Sequence, residues 1–507
     1  MPQNSELPEG WIQSTINDIS DEIKYGYTAS ADKNKVGPHF LRITDIQNDF
    51  VDWNDVPFCS IKEEQISKYK LESGDIVFAR TGATTGKSYL ISSCPDSIFA
   101  SYLIRLRPNR NVNQKFMSLF FSTSEYWTQI SQNISGIAQP NCNATKLKEL
   151  KIPLPPLAEQ HRIVAAIEAL FARLDAAQAR LDRVPGIVQQ FRQAVLAAAC
   201  EGRLTEDWRS ENPDITDAKE AVGNILNQKR MAWEREQIQT FQDKGKTPKN
   251  SKWKEKYREP KGIEISDLPI VSDKWTWASI DQVSGIEANS ITDGPFGSNL
   301  KTEHYTDSGP RVIRLQNLGD GNFIDVKSHI STDHFTKLKK HQVFPKDLVI
   351  GTLGDPIPRA CQIPDDFGPA IVKADCIRLN PHQEIANNKY VIFAINTEST
   401  RKRMVESIHG VGRARLNLSN IKSLPIPLPP LSEQDEIVHR ADALFALADQ
   451  IEARITAAKE RTETLRQSIL AQAFSGQLVS TEAELARREE REYEPASVLL
   501  ERIKAKK

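Results

Sequence analysis

No long apolar run interrupts this chain. Its first residues, MPQNSELPEG, are polar. Nothing further on approaches the ~20 apolar residues of a membrane span or the core of a signal peptide. Cysteine is scarce: six in 507 residues, at 59, 94, 142, 200, 361 and 376, with no CxxC or other ligand spacing. That excludes a disulfide framework and a Cys-based metal site, and it fits reduced thiols in a cytoplasmic protein. The histidines show no metal spacing either. Charge of one sign is also missing. Lys and Arg number 66 against 67 Asp and Glu, a formal net charge of −1, so no global basic field advertises a polyanionic partner.

Catalytic signatures are equally thin. The adenine-methylase tetrad, Asp or Asn followed by Pro-Pro and an aromatic residue, is absent, because Pro155-Pro156 and Pro429-Pro430 are each followed by Leu. GATTGKS, from Gly82 to Ser88, is close to a phosphate loop but has three residues between its glycines where the motif needs four. Pro213-Asp214 and Pro364-Asp365 match the start of a nuclease motif by chance, since the nearest Glu-x-Lys, Glu259 to Lys261, lies in a basic run. The expectation is a chain without catalysis, metal or cofactor of its own.

What is present is a repeat. LKIPLPPLAEQHRIVAAIEALFARLDAAQARL begins at Leu150, and LPIPLPPLSEQDEIVHRADALFALADQIEARI begins at Leu424. The offset is 274 with no gap, and 25 of 55 positions are identical, too many for chance. Each copy opens with three prolines, which hold the chain extended and delay the helix until the last of them. Ala158 or Ser432 is then expected at the helix start, with Glu159 and Glu433 at its positive end. Apolar residues follow in alternating steps of four and three, from Ile163 through Ile167, Leu170 and Leu174 to Val195. The second copy runs from Ile437 to Ile469 with a weaker seam. Two matched stripes in one chain most simply bury each other as an antiparallel coiled-coil pair, a spacer of roughly 50 Å. Pro185 is expected to kink or split the first helix, and Gly202 and Gly476 to end the two copies.

Residues 1–149 form a first block, rich in short β runs such as GDIVFAR and FASYLIRLRP, and residues 150–204 form the first proline segment and helix. A helical and basic bridge covers 205–261; its KGKTPKNSKWKEKYREPKG run reads first as a solvated linker, with phosphate contact as the alternative. A second block, 262–423, parallels the first: FPKDLVIGTLG answers ESGDIVFARTG, and Trp275 answers Trp11. Residues 424–480 carry the second proline segment and helix, and 481–507 a helical tail. The tail YEPASVLLERIKAKK resembles DITDAKEAVGNILNQKR of the bridge, so the last residues are expected to dock near the first. The expected fold class is α+β: two similar α/β domains separated by an antiparallel pair of long helices, with internal pseudo-two-fold symmetry.

Two variable blocks, each followed by IPLPPL-x-EQ and a long helix, resemble the specificity subunit of type I restriction-modification enzymes. The likeness spans essentially the whole chain and includes ARTGATTGK, SGIAQPNCNATKLKEL, RVIRLQNLG and RARLNLSNIKSLPIPLPP. It implies two target recognition domains, each reading one half of a split, asymmetric site in double-stranded DNA. It also implies two docked modification subunits and ATP-driven restriction subunits. S-adenosylmethionine and ATP with magnesium would then belong to those partners. The rival reading is a coiled-coil adaptor that binds proteins through its end domains.

Candidate DNA contacts follow from side-chain chemistry. In the first block, Arg80 suits a guanine edge, while Thr84, Thr85 and Lys87 suit phosphates. Before each proline segment lies a glycine-bearing loop, SGIAQPNCN or HGVGRARLN. There Gln139, Asn141 and Asn143 suit adenine, and Arg413 and Arg415, beside Asn417, suit guanine or phosphate. KYGYT (Lys24 to Thr28) and DGPFGSN, which ends at Asn299, are weaker candidates.

Overall fold

The computed structural model describes residues 7–47, 49–82, 84–133, 142–248, 250–406 and 415–506. The chain forms two compact units. One holds residues 1–183 and 455–507, and the other holds 184–454. One division falls between two helices, Leu157–Leu181 and Val184–Cys200. The other falls inside the unbroken helix Leu431–Phe474. Each unit thus owns one block and a stretch of each repeat copy.

In the first unit, strands Ser20–Tyr25, Leu103–Pro108, Ile76–Ala79 and Ser88–Leu90 make an antiparallel sheet in that order. A short parallel pair, His39–Leu41 with Ser97–Phe99, lies outside it. One sheet face, with Ile76, Phe78, Ile104 and Leu106, packs on Phe116, Phe120 and Tyr126 of two helices. The second unit repeats this plan with strands Ile291–Asp293, Cys376–Leu379, Leu348–Gly351 and Arg359–Gln362. A buried arginine occupies the same register in both sheets: Arg105 opposite Val77, and Arg378 opposite Val349. Arg378 is 2.5 Å from Asp347, and Arg105 pairs with Glu22.

The proline segments are strands. Lys151–Leu154 pairs antiparallel with Ile12–Thr15, and Pro425–Leu428 with Thr276–Ser279. Only two strands meet in each case, so prolines that cannot donate are tolerated at these edges. Both helices start one residue before the expected position, at Leu157 and Leu431, directly after the last proline. The carbonyl of Pro156 accepts from Glu159 and Gln160, and that of Pro430 from Glu433 and Gln434. Ser432 is therefore inside the helix and caps nothing.

The Glu-Gln pair is buried instead of resting at a solvated helix end; all four side chains are 0% exposed. In the first unit Glu159 accepts from Trp11 Nε1 at 2.9 Å and from the Glu482 N–H at 2.8 Å. In the second, Glu433 accepts from Trp275 Nε1 at 2.8 Å and Thr205 Oγ1 at 2.8 Å, and pairs with Arg209 at 2.9 Å. Gln160 takes the Asn113 N–H at 2.9 Å and gives its own N–H to Pro155. Gln434 does the same with Asn387 at 2.8 Å and Pro429. Asn113 and Asn387 in turn cap the first helix after each sheet.

Pro185 splits the first copy. Its helix closes at Leu181, and the next begins at Val184. Proline then sits in a first turn, where its missing N–H costs nothing. Within each unit the two copies run antiparallel. Asp175 meets Arg466 at 2.5 Å and Asp182 meets Lys459 at 2.5 Å in the first unit. In the second, Arg192 meets Asp449 at 2.5 Å and Arg440 donates to the Leu204 carbonyl at 3.0 Å. The seam is less continuous than its spacing suggests. Ile163, Ile167, Val195, Ile437 and Leu470 are buried, whereas Ile451 and Leu465 are 37% and 46% exposed. A two-helix contact shields its residues on one side only, so burial concentrates where the blocks add a third layer. Gly202 and Gly476 do terminate the copies, both left-handed, at φ 75° and 74°. The tail helix Ala496–Lys504 docks near the first residues, with the Ala496 N–H on the Gly10 carbonyl at 2.9 Å.

Burial pushes the Glu159 carboxyl up, against the pull of Glu482 N–H and Trp11, so its charge is held at a cost. Glu433 has an arginine in direct contact. Glu433→Gln should therefore destabilise the chain by about 2–3 kcal/mol, and Glu159→Gln by about 1 kcal/mol, because only the first leaves a directly paired arginine without its carboxylate. Denaturant unfolding of the two variants would show small, equal losses if the joint were carried by packing alone, because Gln fills the space of Glu.

Candidate nucleic-acid interface

Each sheet ends in a cluster of loops, and the backbone of the cluster is the same in both units. In the first, the Arg80 N–H donates to Tyr102 O at 3.0 Å, and Arg80 O accepts from Cys142 at 2.9 Å. In the second, the Thr352 N–H donates to Asp375 O at 3.0 Å, and Thr352 O accepts from Leu416 at 2.9 Å. The loop before each proline segment is thereby pinned beside the end of a central strand. A third loop joins them through a glycine. A Cβ on Gly26 would lie 2.2 Å from Ala100 O, and one on Gly294 would lie 2.2 Å from Lys373 C. Ala100 and Lys373 each follow a parallel strand, Ser97–Phe99 and Ala370–Val372. KYGYT and DGPFGSN are therefore one structural position carrying different residues.

The side chains on this shared frame differ. The Arg80 guanidinium lies over the Tyr25 ring at 4.9 Å, and Tyr25 Oη accepts from the Ala144 N–H at 3.0 Å. Arg80 Nε is buried without a partner among the described residues. Tyr102 beside it is 64% exposed. In the second unit Arg415 pairs with Asp375 at 2.8 Å, and its guanidinium is 6.0 Å from the Phe296 ring. Phe296 is 51% exposed at the tip of its loop, and Asn299 is exposed just beyond it. Tyr25, Tyr102, Phe296 and Asp375 were not singled out from the sequence. Tyr25 and Phe296 lie in KYGYT and DGPFGSN, whose glycines carried the signal; the stretches around Tyr102 and Asp375 have no glycine.

Several expected contacts have other employment. The Thr85 hydroxyl donates to Gly82 O at 2.7 Å inside its turn, and the residue is 8% exposed. Lys87 N–H closes the same turn on Thr84 O at 2.9 Å, leaving the exposed Lys87 side chain facing water. Asn143 caps the helix Ala144–Glu149 and Asn417 caps Leu418–Lys422 through their side-chain oxygens. Each thereby commits one oxygen lone pair to its cap, the role that Asn before a helix often has. Gln139, Asn141 and Arg413 lie outside the described residues.

The arrangement suits binding. Among the described residues no group of His, Cys, Asp or Glu is placed to hold a metal, and no helix is long and apolar enough to cross a membrane. Burial pushes the Cys59 and Cys142 thiols up to about 11, and those of Cys200 and Cys361 to about 12. Such thiols are not nucleophiles near neutrality.

Comparison with known proteins decides the family. Residues 8–185 and 302–460 match the type I restriction modification DNA specificity domain. The chain belongs to this family. It is 28% identical over 493 residues to the EcoKI specificity subunit of Escherichia coli strain K12, covering 94% of this chain and 90% of that one. With the StySPI specificity subunit of Salmonella potsdam it shares 27% over 489 residues, with the same coverage. Its fold is that of a chain from a structure of type I assembly and conformational transition, at TM-score 0.60 and 16% identity, covering 94% of this chain and all of that one. The HsdS subunit of Thermoanaerobacter tengcongensis gives TM-score 0.51 and 16% identity, covering 93% and 98%. The chain is thus a non-catalytic DNA specificity subunit, and the adaptor reading falls away.

The glycine frame makes a direct prediction. Gly26→Ala and Gly294→Ala each push a Cβ into backbone and should cost about 1–3 kcal/mol. Gly82→Ala meets open space and should cost only its left-handed strain, about 1 kcal/mol. Equal losses for the three in thermal unfolding would contradict the close approach.

Proposed function

We propose that each loop cluster reads one half of a bipartite, asymmetric site in double-stranded DNA, and that the paired helices set the unread distance between halves. The observation that carries this is the duplication itself: one hydrogen-bonded frame, used twice, with Arg80, Tyr25 and Tyr102 on one copy and Arg415, Phe296 and Asp375 on the other. A scaffold repeated with divergent loops is what two readers of different sequences need. In this reading Arg80 and Arg415 face base edges or phosphates, Thr84 and Lys87 grip phosphates, and Asn299 reaches a base edge. Gln139, Asn141 and Arg413, which lie outside the described residues, belong to this reading as base or phosphate contacts on their chemistry alone.

The partners are DNA and the other subunits of a type I assembly. We assign one modification subunit to each half of the pseudo-repeat, since two similar surfaces recruit two copies of one partner. Leu447 and Ile451, 49% and 37% exposed on the long helix, supply apolar area for such docking. S-adenosylmethionine is then held by the modification subunits, and ATP with magnesium by the restriction subunits.

The spacer reading is testable through register. Within the first unit Asp175 faces Arg466 and Asp182 faces Lys459, so removing residues 172–178 together with 463–469 deletes one heptad from each strand of the pair. The pair shortens by about 10 Å, equivalent to about three base pairs. Mapping of N6-methyladenine in cells carrying the complete system should then show the same two half-sites with a shorter gap. An unaltered gap, or altered bases, would refute the spacer.

A further inference from the structure

The basic run of the bridge is folded, contrary to the solvated linker expected from its composition. It returns along the helix Ala218–Asp243 and is clasped to it by aromatic rings. Trp253 stacks on Trp233 at 5.9 Å and meets Phe241 at 6.1 Å, while Tyr257 lies 5.4 Å from Trp233. Lys254 pairs with Glu234 at 2.7 Å across the clasp. The helix itself is an extended version of the tail helix Ala496–Lys504. Both begin by donating to the residue before a repeat tryptophan, Ala218 to Lys274 and Ala496 to Gly10. The tail helix has 9 residues and the bridge helix 26. The surplus carries the clasp, and it lies outside the residues that match the specificity domain.

The charge of this hairpin is one-sided. Residues 244–261 hold eight Lys or Arg against two Glu, in a chain whose total is −1. Lys244, Lys246, Lys252, Lys256 and Arg258 are exposed and join no ion pair among the described residues. The run ends beside the second loop cluster. The Lys261 N–H donates to Asp281 at 3.1 Å, Asp281 pairs with Lys422 at 3.2 Å, and the Lys261 ammonium reaches the Ser419 hydroxyl. Ser419 and Lys422 belong to the short helix that follows Arg415 and is capped by Asn417. A basic ribbon held rigid by a tryptophan clasp therefore leads up to the proposed DNA surface.

We infer that this hairpin is a sequence-independent phosphate clamp that extends the second cluster's hold on duplex DNA. The inference rests on the half-site reading, because the ribbon's direction is judged from that cluster. Cationic side chains that join no ion pair among the described residues, carried on a backbone held by the clasp, are matched to a phosphate backbone, and their binding releases counterions without reading bases.

The test uses the full chain assembled with its modification subunits and two duplexes, one containing the mapped site and one of random sequence, over a series of NaCl concentrations. The variant carries Lys244→Gln, Lys246→Gln, Lys252→Gln and Lys256→Gln. Its affinity should fall by a similar factor for both duplexes, with the slope of log K against log salt shallower by roughly 3 to 4. The preference for the mapped site should stay the same. An unchanged slope would overturn the clamp, as would a lost preference at constant slope. Failure of the variant to assemble with modification subunits would assign the ribbon to a protein interface instead and overturn it equally. If the unaltered assembly shows no preference for the mapped site, the half-site reading fails; a uniform fall with the variant would still identify the clamp.

Discussion

The structure depends on a carboxylate and a carboxamide buried side by side. A charge taken out of water is tolerable only when its lone pairs are filled, and Glu433 fills them with an indole, a hydroxyl and a guanidinium. Glu159 manages with an indole and a backbone N–H, assisted by Arg162 nearby. The neighbouring glutamine uses both ends of its amide, one on the cap of the helix after the sheet and one on a proline carbonyl. The partners lie on several segments of each unit. The N-terminal strand, the start of the long helix, the sheet's first following helix and the segment after the opposite repeat copy therefore meet at one point. Directional bonds at that point fix the angle at which each helix leaves its block, which apolar packing by itself leaves loose.

Fixing the frame this way frees the loops. The strands that carry Arg80 and Thr352 hold their neighbours by the same backbone bonds, so side chains at the loop tips contribute little to stability. Tyr25 and Asp293 precede the two close-approach glycines and share nothing in size or charge. Backbone carries the architecture and side chains carry the difference. A recognition protein can then change what it reads without refolding.

This division also explains which parts were legible in the sequence. The repeat, its offset, the antiparallel helices and the glycine ends could be read because packing and termination restrict residue type. Pro185 announced a break, though only the structure shows a clean split. The buried role of Glu-Gln was hidden, because a polar pair after a helix start looks solvated until its tryptophan, more than a hundred residues away, is known. The candidate loops were legible as loops and poorly as sites. Thr85, Asn143 and Asn417 have side chains that suit nucleic acid equally well as turns and caps, and only hydrogen-bond partners tell these apart. Tyr102 and Asp375 left no pattern at all, since loop residues answer to a ligand and obey no period.

Net charge was the least informative quantity. Electrostatic fields are screened over about 10 Å at moderate salt, so a charge total summed over a long chain describes no surface that a ligand meets. Along the paired helical region Asp175, Asp182 and Asp449 pair with cations of the opposite copy. Those exposed pairs add little stability, but they neutralise the helical region. A local excess of positive charge, eight Lys or Arg against two Glu, sits on the clasped run 244–261. On the proposed reading, segregation of this kind would let one chain keep a near-neutral surface for protein subunits and a cationic one for a polyanion. A uniform basic chain would bind any duplex, and two different loop clusters would then have little left to discriminate.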